Sequence, residues 1–483
     1  MSYKCHKMAK FKTLLNPSCT KCSMYLDYSQ LFIYFNSQFI FHNQTPFMKM
    51  KHLKVLMLFG LMLSIFACQD QFQSIEHNAI SSDPLDWEIS NIPSGTKIPN
   101  QYIVVFNDNT RRVIGTRSVG LPYPEKLEVV QEVSHEILRE AGVQYLSMER
   151  TYAEAVSGFV LQAEAGEIEK LRKHPAISYI EQDEIITLAP PCGTPRGGPC
   201  PPPDDGGGGG GGDDGGGGGG GCSTNTQTTP YGIARVKGGK TYTGNARAWI
   251  IDTGIQLNHE DLNVSTNGGF TAFSSGPDAN FDDKNGHGTH VAGTVAAIDN
   301  CVGVIGVAAG ATVVPVKVLD RRGSGTISGV IAGVDHVAAT AKSGDVANMS
   351  LGGGANTSLD DAVKNLGNKG VRVAIAAGNS SAHAGNYSPA RATGTNLYTI
   401  SAMNSSDNWA SFSNFGNPPI RYCQPGVSVN STWINNGYRS ISGTSMAAPH
   451  MAGLLLLGNI VNNGTVSGDP DGNPDPIAVY GGN

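Results

Sequence analysis

Charged residues are scarce in this chain. Asp, Glu, Lys and Arg make up 15% of its 483 residues, and the formal net charge is −6. No basic run stands out, which excludes the electrostatic footprint of a nucleic-acid-binding protein. The nine cysteines do not form the doubled short-spaced pairs of a structural zinc site. No G-x-S-x-G elbow occurs, so an esterase of the α/β-hydrolase type is excluded. No apolar run is long enough for a clear membrane span. Glycine is abundant at 62 residues, but much of the excess sits in one tract after residue 205. The length suffices for two or three domains.

The N-terminus carries an address rather than a fold. Residues 1–47 show no hydrophobic period and no caps, and read as a mis-called extension ahead of a start at Met48 or Met50. Residues 48–68 follow the signal-peptide pattern. Lys49, Lys51 and Lys54 form the basic region, and Val55 to Phe66 the apolar core. Its end, Ile65-Phe66-Ala67-Cys68, is similar to a bacterial lipobox, with Cys68 as the lipidated residue and Phe66 bulkier than that pattern favours. An ordinary signal peptide cut near Ala67 is the other reading. Either way the chain is exported, as a secreted protein or an outer-membrane lipoprotein. Disulfides can then form among Cys192, Cys200, Cys222, Cys301 and Cys423, with the pairing open.

Residues 69–97 are polar and read as a tether. Residues 98–188 form a small α+β unit. Strands are expected at Gln101–Asn107, Thr151–Leu161 and Ile177–Leu188, with a short one near Val143–Leu146. Helices are expected at Pro124–Ala141 and Ala165–His174. That order is ferredoxin-like. Residues 189–225 are rich in Pro and then Gly, and cannot bury enough surface to fold. In residues 226–465, apolar runs at Ala248–Ile251, Val313–Leu319, Val346–Leu351, Val371–Ala376 and Leu397–Ala402 alternate with helical patterns at Thr289–Ala297, Ser328–Ala341 and Leu359–Lys369. The alternation predicts an α/β, doubly wound, mostly parallel sheet. Residues 466–483 read as a Gly/Asn/Pro-rich tail.

Three short motifs carry chemistry. They are Trp249-Ile-Ile-Asp-Thr-Gly254, Asn285-Gly-His-Gly-Thr-His-Val-Ala-Gly293 and Ser442-Gly-Thr-Ser-Met-Ala-Ala-Pro-His450. Asp252 ends an apolar strand, where open α/β sheets place their sites. His287 lies between two glycines that leave its ring room, just before a helix. Ser445 opens another helix, whose first turn offers free N–H groups to an oxyanion. The second histidine of the middle motif, His290, reads as helix packing.

The order Asp, His, Ser with these neighbours resembles the subtilisin-like serine proteases. The resemblance covers most of residues 226–460, and Asn386-Tyr-Ser-Pro-Ala390 is closer to proteinase K. It implies Ser445 as nucleophile, His287 as general base and Asp252 as the orienting carboxylate. It implies Asn379 as the oxyanion donor. Gly323, Ser324 and Gly325 would form one rim of a substrate cleft. Ser350, Leu351, Gly352 and Gly353 would form the other, with Ala377 and Gly378 beside them. It also implies a structural Ca2+ held by Gln227, Asp261 and Asn300 and by the carbonyls of Ile298, Val302 and Val304, an all-oxygen set.

Residues 98–188 resemble the inhibitory propeptide of that family, carried by QYIVVF, SGFV and AISYIEQDEIITL. The expected partners are therefore polypeptide substrates and the chain's own propeptide, with no nucleic acid, membrane contact only through a lipid anchor, and a monomeric state. The linker is a departure from the family. At roughly 5–6 Å times the square root of length, about 36 residues span about 30–36 Å. That would let Gln227 reach the calcium loop before the propeptide is cut. The rival reading is an inactive peptide-binding lipoprotein of the same fold, which calls for a broken triad or a missing Asn379.

Overall fold

The computed structural model describes residues 93–188 and 227–482. The signal segment, most of the tether and the linker lie outside the described residues, as does every cysteine except Cys301 and Cys423. All described residues belong to one compact unit, Asp83–Asn483.

In the N-terminal domain β1 (Lys97–Phe106) leads into α1 (Asp108–Arg117) and α2 (Tyr123–Glu140). The hairpin β2 (Ser147–Tyr152) and β3 (Gly158–Gln162) follows, then α3 (Ala165–Leu171) and β4 (Ile177–Thr187). The strands pair antiparallel in the order β4-β1-β3-β2. Val130, Val133, Ile137 and Leu138 of α2, with Ile168 and Leu171 of α3, pack on Val104, Phe106, Phe159 and Leu161 of the sheet. The ferredoxin-like plan is present, with three differences. The short strand expected near Val143–Leu146 lies further on, at Ser147–Tyr152. Helix α1 was not expected, because Ile114 is its one buried residue and the cap from Asn107 Oδ1 to Thr110 N (2.9 Å) carries no apolar period. Thr151–Leu161 is also not one strand. The chain turns at Ala153–Ser157, where the N–H groups of Glu154 and Ala155 leave the ladder for a carboxylate of the second domain.

The second domain is built on a nine-stranded sheet. Its strands include β5 (Ala248–Asp252), β6 (Phe270–Thr271) and β7 (Val313–Lys317). A short strand, β8 (Ser324–Thr326), instead joins β4 of the first domain. Next come β9 (Val346–Met349), β10 (Arg372–Ala376), β11 (Leu397–Met403) and β12 (Ile420–Pro425). The last two are β13 (Ile460–Thr465) and β14 (Pro476–Tyr480). The order is β13-β14-β12-β11-β10-β9-β5-β7-β6, and every neighbouring pair is parallel except β13–β14.

Both faces are covered, as fully apolar strands require. Ile250 packs with Val291 and Val295 of α4 (His287–Ala296) and with Met451 of the C-terminal helix. Its neighbours Trp249 and Ile251 point the other way, onto α5 (Ile327–Thr340) and α6 (Thr357–Asn368). Helix α7 (Thr444–Leu457) is buried along its length. The chain adds β7 on one side of β5 and β9 on the other, so its direction of winding reverses at β5. A crevice opens at the carboxyl ends of such strands.

The segment read as a tail belongs to the sheet. Ile477, Ala478 and Val479 are buried in β14, which pairs with β12. The polar loop before it hid a three-residue apolar run, too short to read as a strand without its partner.

Candidate active site

Asp252 is the last residue of β5 and is fully buried. Its carboxylate binds His287 Nδ1 at 2.8 and 3.0 Å through its two oxygens. It also accepts Thr253 N at 2.7 Å. His287 is the first residue of α4. Burial by itself would lower the pKa of the imidazole. The charge of Asp252, its hydrogen bond and the charge of Asp283 outweigh burial and raise it. The paired carboxylate thus makes His287 a stronger base than a free histidine.

Ser445 lies in the first turn of α7. Its hydroxyl donates to Ser350 O (3.1 Å) rather than to His287. Such bonds commonly tighten only once substrate is bound. A second tie has a clear cause. Pro449 has no N–H to offer the carbonyl four residues back. Ser350 Oγ donates to that carbonyl, Ser445 O, at 2.8 Å. Because Ile251 and Met349 are register partners in the paired strands β5 and β9, Asp252 and Ser350 lie side by side at the sheet edge. One holds the imidazole and the other the serine.

Asn379 follows β10. Its Oδ1 accepts Thr444 N (2.8 Å) and Thr444 Oγ1 (2.8 Å). A backbone N–H can only donate, so the acceptor must be the amide oxygen, and Nδ2 is left for the cleft beside Ser445. Thr444 Oγ1 is itself anchored by Gly378 N at 3.0 Å. Thr444 was missed in the sequence because a threonine beside a motif serine has no signal of its own. His290 is not a second base. Its Nε2 faces the carbonyls of Val429 and Arg439 at 3.0 Å each, and burial pushes its pKa down to about 3.

The cleft of about 530 Å³ beside Ser445 is lined by Ser350, Leu351, Gly352, Gly353, Ala377, Gly378 and Asn379. Strand β4 runs into it. Thr187, Ile186 and Ile185 pair antiparallel with Ser324, Gly325 and Thr326, and Leu188 N donates to Gly323 O at 2.9 Å. Gly325 has no room for a Cβ, which would come within 2.3 Å of Val318 O. The second rim behaves differently from expectation. Gly353 and Gly354 pair with Ser388 and Tyr387 respectively, and Gly353 faces the side chain of Ile186. The free edge of β4 is taken by the start of the domain, through Gly95 N to Ile185 O (2.8 Å) and Ile185 N to Thr96 O (2.9 Å). Part of the expected tether therefore belongs to the sheet of the N-terminal domain.

The residues read as cation ligands lie together. Gln227 Nε2 donates to the carbonyls of Ile298, Val302 and Val304 at 2.6, 3.3 and 3.1 Å, so its amide would have to turn Oε1 inward to ligate a cation. Asp261 Oδ2 accepts Val304 N at 3.1 Å. Asn300 lies beside Asp261 and accepts Val302 N through Oδ1 at 3.1 Å. Asp261 Oδ1 is buried and meets no hydrogen-bond donor. Burial raises the Asp261 pKa to about 6. Three converging carbonyls and an orphaned carboxylate oxygen fit a hard cation. Among the described residues no trio of His, Cys, Asp or Glu side chains is arranged to hold a metal. A cation here would rest on carbonyl and amide oxygens and this one carboxylate.

The pattern of the Subtilase family matches residues 249–463, and that of the peptidase inhibitor I9 family matches residues 101–189. The chain belongs to the subtilase family of serine proteases and carries an I9 propeptide domain. It is 35% identical over 365 residues to an extracellular serine proteinase of Thermus sp. (strain Rt41A), spanning 74% of this chain and 80% of that one. It is 35% identical over 376 residues to an alkaline serine exoprotease A of Vibrio alginolyticus, spanning 76% of this chain and 61% of that one. It is 45% identical over 238 residues to subtilisin DY of Bacillus licheniformis, spanning 48% of this chain and 84% of that one.

Proposed function

We propose that this protein is an exported endopeptidase, made as a self-processed zymogen, that hydrolyses polypeptides through an acyl-enzyme as a monomer. One observation carries the reading: Asp252 and Ser350, at adjacent strand ends, bind His287 and Ser445 at two helix starts, and Thr444 holds the amide oxygen of Asn379 so that Nδ2 is left for the cleft. Ser445 attacks the carbonyl while His287 takes its proton. Asp252 fixes the tautomer and stabilises the imidazolium. Asn379 Nδ2 and the N–H of Ser445 hold the oxyanion. His287 then protonates the leaving amine, and water reverses the sequence. A quenched peptide blocked at both ends tests this. It should be cut by the mature protein and spared after treatment with a sulfonyl fluoride. No cleavage of the blocked peptide would overturn the endopeptidase reading.

Export is read from residues 48–68, and Cys68 is the proposed lipid site; both lie outside the described residues. Mass spectrometry of the membrane-bound form should find an acyl mass on Cys68, and an N-terminus at any other residue would reject it.

The N-terminal domain is proposed as the inhibitor. Its grip is reciprocal. Asp335 of α5 accepts the N–H groups of Ala153, Glu154 and Ala155 at 2.9, 2.8 and 2.6 Å and the hydroxyl of Tyr123 at 2.8 Å. In return Asp183 accepts Ser328 N at the start of α5 (3.0 Å). Glu181 accepts Thr357 N and Ser358 N at the start of α6 (2.9 and 2.8 Å), where the helix dipole favours a carboxylate. In Asp335→Ala, four donors lose their acceptor. The inhibition constant of the propeptide should rise by about 30-fold or more, the size of loss expected when one partner of a buried charged contact is truncated. An unchanged constant would show that strand β4 alone provides the inhibition.

Gln227, Asp261, Asn300 and the carbonyls of Ile298, Val302 and Val304 would hold Ca2+, which supplies local stability and no chemistry. At a free concentration a hundred times Kd the ion contributes about 2.7 kcal/mol. Chelation should then lower Tm by about 5–10 °C. Asp261→Ala should abolish that response. Gln227 reaches its carbonyls while Leu188 still meets Gly323, which supports a site formed before cleavage. The uncleaved Ser445→Ala chain should therefore show the same shift, and a calcium-independent Tm would reject the site.

A further inference from the structure

Asp283 is buried at 4% exposure and has no role in the steps above. Its carboxylate accepts five hydrogen bonds. Oδ1 takes Thr253 Oγ1 (3.0 Å), Asn285 N (2.8 Å) and Gly286 N (3.0 Å), and Oδ2 takes Thr289 N (3.0 Å) and Thr289 Oγ1 (2.6 Å). These donors belong to two segments far apart in the chain. Asn285, Gly286 and Thr289 bracket His287. Thr253 follows Asp252.

Thr253 is itself a junction. Its N–H holds Asp252 Oδ1 (2.7 Å), its hydroxyl accepts Gly288 N (2.9 Å), and its carbonyl accepts Lys317 Nζ (2.7 Å). The imidazole is thus fixed at one nitrogen by Asp252 and at its backbone by Asp283, and the two carboxylates are joined through one threonine. Gly286, with φ of 109°, needs the left-handed region. Asp283 holds the N–H of that strained residue.

We propose that Asp283 is a positioning residue of the protease reaction. It locks the Asn285–Thr289 turn to the Asp252 strand end so that His287 is presented to Ser445 in one orientation. The inference rests on the proposed function. A carboxylate suits the place because it only accepts. An amide would turn an NH2 toward at least two donors. Burial pushes the Asp283 carboxyl up, and the donors from Thr289, Gly286 and Asn285 work against that rise without cancelling it.

The charge has a consequence that a neutral strut would lack. The groups facing His287 are Asp252 from β5, Asp283 from the preceding loop and His290 from the next turn of α4, and the two carboxylates favour the imidazolium. Removing one of them should shift the acid limb of activity to lower pH.

The test compares mature wild type, Asp283→Asn and Thr253→Val on a peptide substrate across pH, with Ser445→Ala as control. For Asp283→Asn, kcat should fall by about 10- to 100-fold with KM changed by less than about 3-fold, the signature of lost orientation. Its acid limb should move to lower pH. Thr253→Val breaks the link but keeps the charge, so kcat should fall and the acid limb should stay. Wild-type kcat in Asp283→Asn would overturn the proposal, as would a fall in kcat with an unmoved acid limb. If Asp283→Asn fails to accumulate, an unchanged kcat in Thr253→Val overturns it alone. Hydrolysis that survives in Ser445→Ala would defeat the protease reading instead, and is read separately.

Discussion

Ser445→Ala, with its propeptide cut away by an added protease, should lower kcat by about 10⁶-fold with KM near its wild-type value, the scale known for the nucleophile of subtilisin, a member of this family. The reason is that the triad acts as a unit. Without the hydroxyl, His287 has no proton to take and no acyl-enzyme forms. What survives is binding and the oxyanion donors acting on water. The substitution removes one oxygen, whose hydrogen bond is to Ser350 O. The tie from Ser350 Oγ to Ser445 O involves the main chain and persists. The fold should therefore be intact and Tm nearly unchanged. Without that protease the chain should remain uncut, since self-processing needs the same hydroxyl. Rates on a peptide anilide, with the gel mobility of the purified protein, check both. Substantial hydrolysis by the mutant would remove the basis for the assigned nucleophile.

Asn379→Leu should lower kcat by about 10²–10³-fold, again the scale known for subtilisin, with a smaller effect on KM. The amide nitrogen binds an oxygen that becomes charged only on the way to the intermediate, so its loss weighs on the transition state. Asn379→Asp is the sharper variant. It keeps the acceptors for Thr444 N and Oγ1, the two bonds that orient the side chain. It replaces the donor by a charge of the same sign as the oxyanion, so the loss should be at least as large. Near-normal kcat in both variants would mean that the oxyanion is held elsewhere.

The triad was legible because each member sits in a contiguous motif. The geometry of a strand end before Thr-Gly, a helix start after Gly and a Ser in a first helical turn is written within a few residues. The glycines of the first rim, Gly323 and Gly325, were legible for the same reason, whereas the second rim pairs with Tyr387 and Ser388 instead of β4. The parallel sheet was legible from apolar runs buried on both faces. The boundaries slipped where the deciding partner is remote. Strand β14 exists because β12 offers it an edge. The turn at Ala153–Ser157 exists because Asp335, on another domain, takes its N–H groups.

The supporting residues share that property. Nothing near Asp283, Asp335 or Thr444 in the sequence distinguishes them from ordinary polar positions. Their roles arise from partners that folding brings in from other segments: the donors Thr253 for Asp283 and Tyr123 for Asp335, and the acceptor Asn379 for Thr444.

By itself the sequence pointed to the groups proposed for the chemistry, their chain order, the residues proposed to hold a cation and the layered α/β plan, since these follow from residue type and short-range spacing. Only the tertiary structure decided how the groups are aimed: the bond between Asp252 and His287, the tie of Ser445 to Ser350, the turned amide of Asn379 and the seating of β4 against β8. Aim depends on hydrogen bonds between segments distant along the chain. Such bonds are selected by packing of the whole fold, and they leave no local pattern to read.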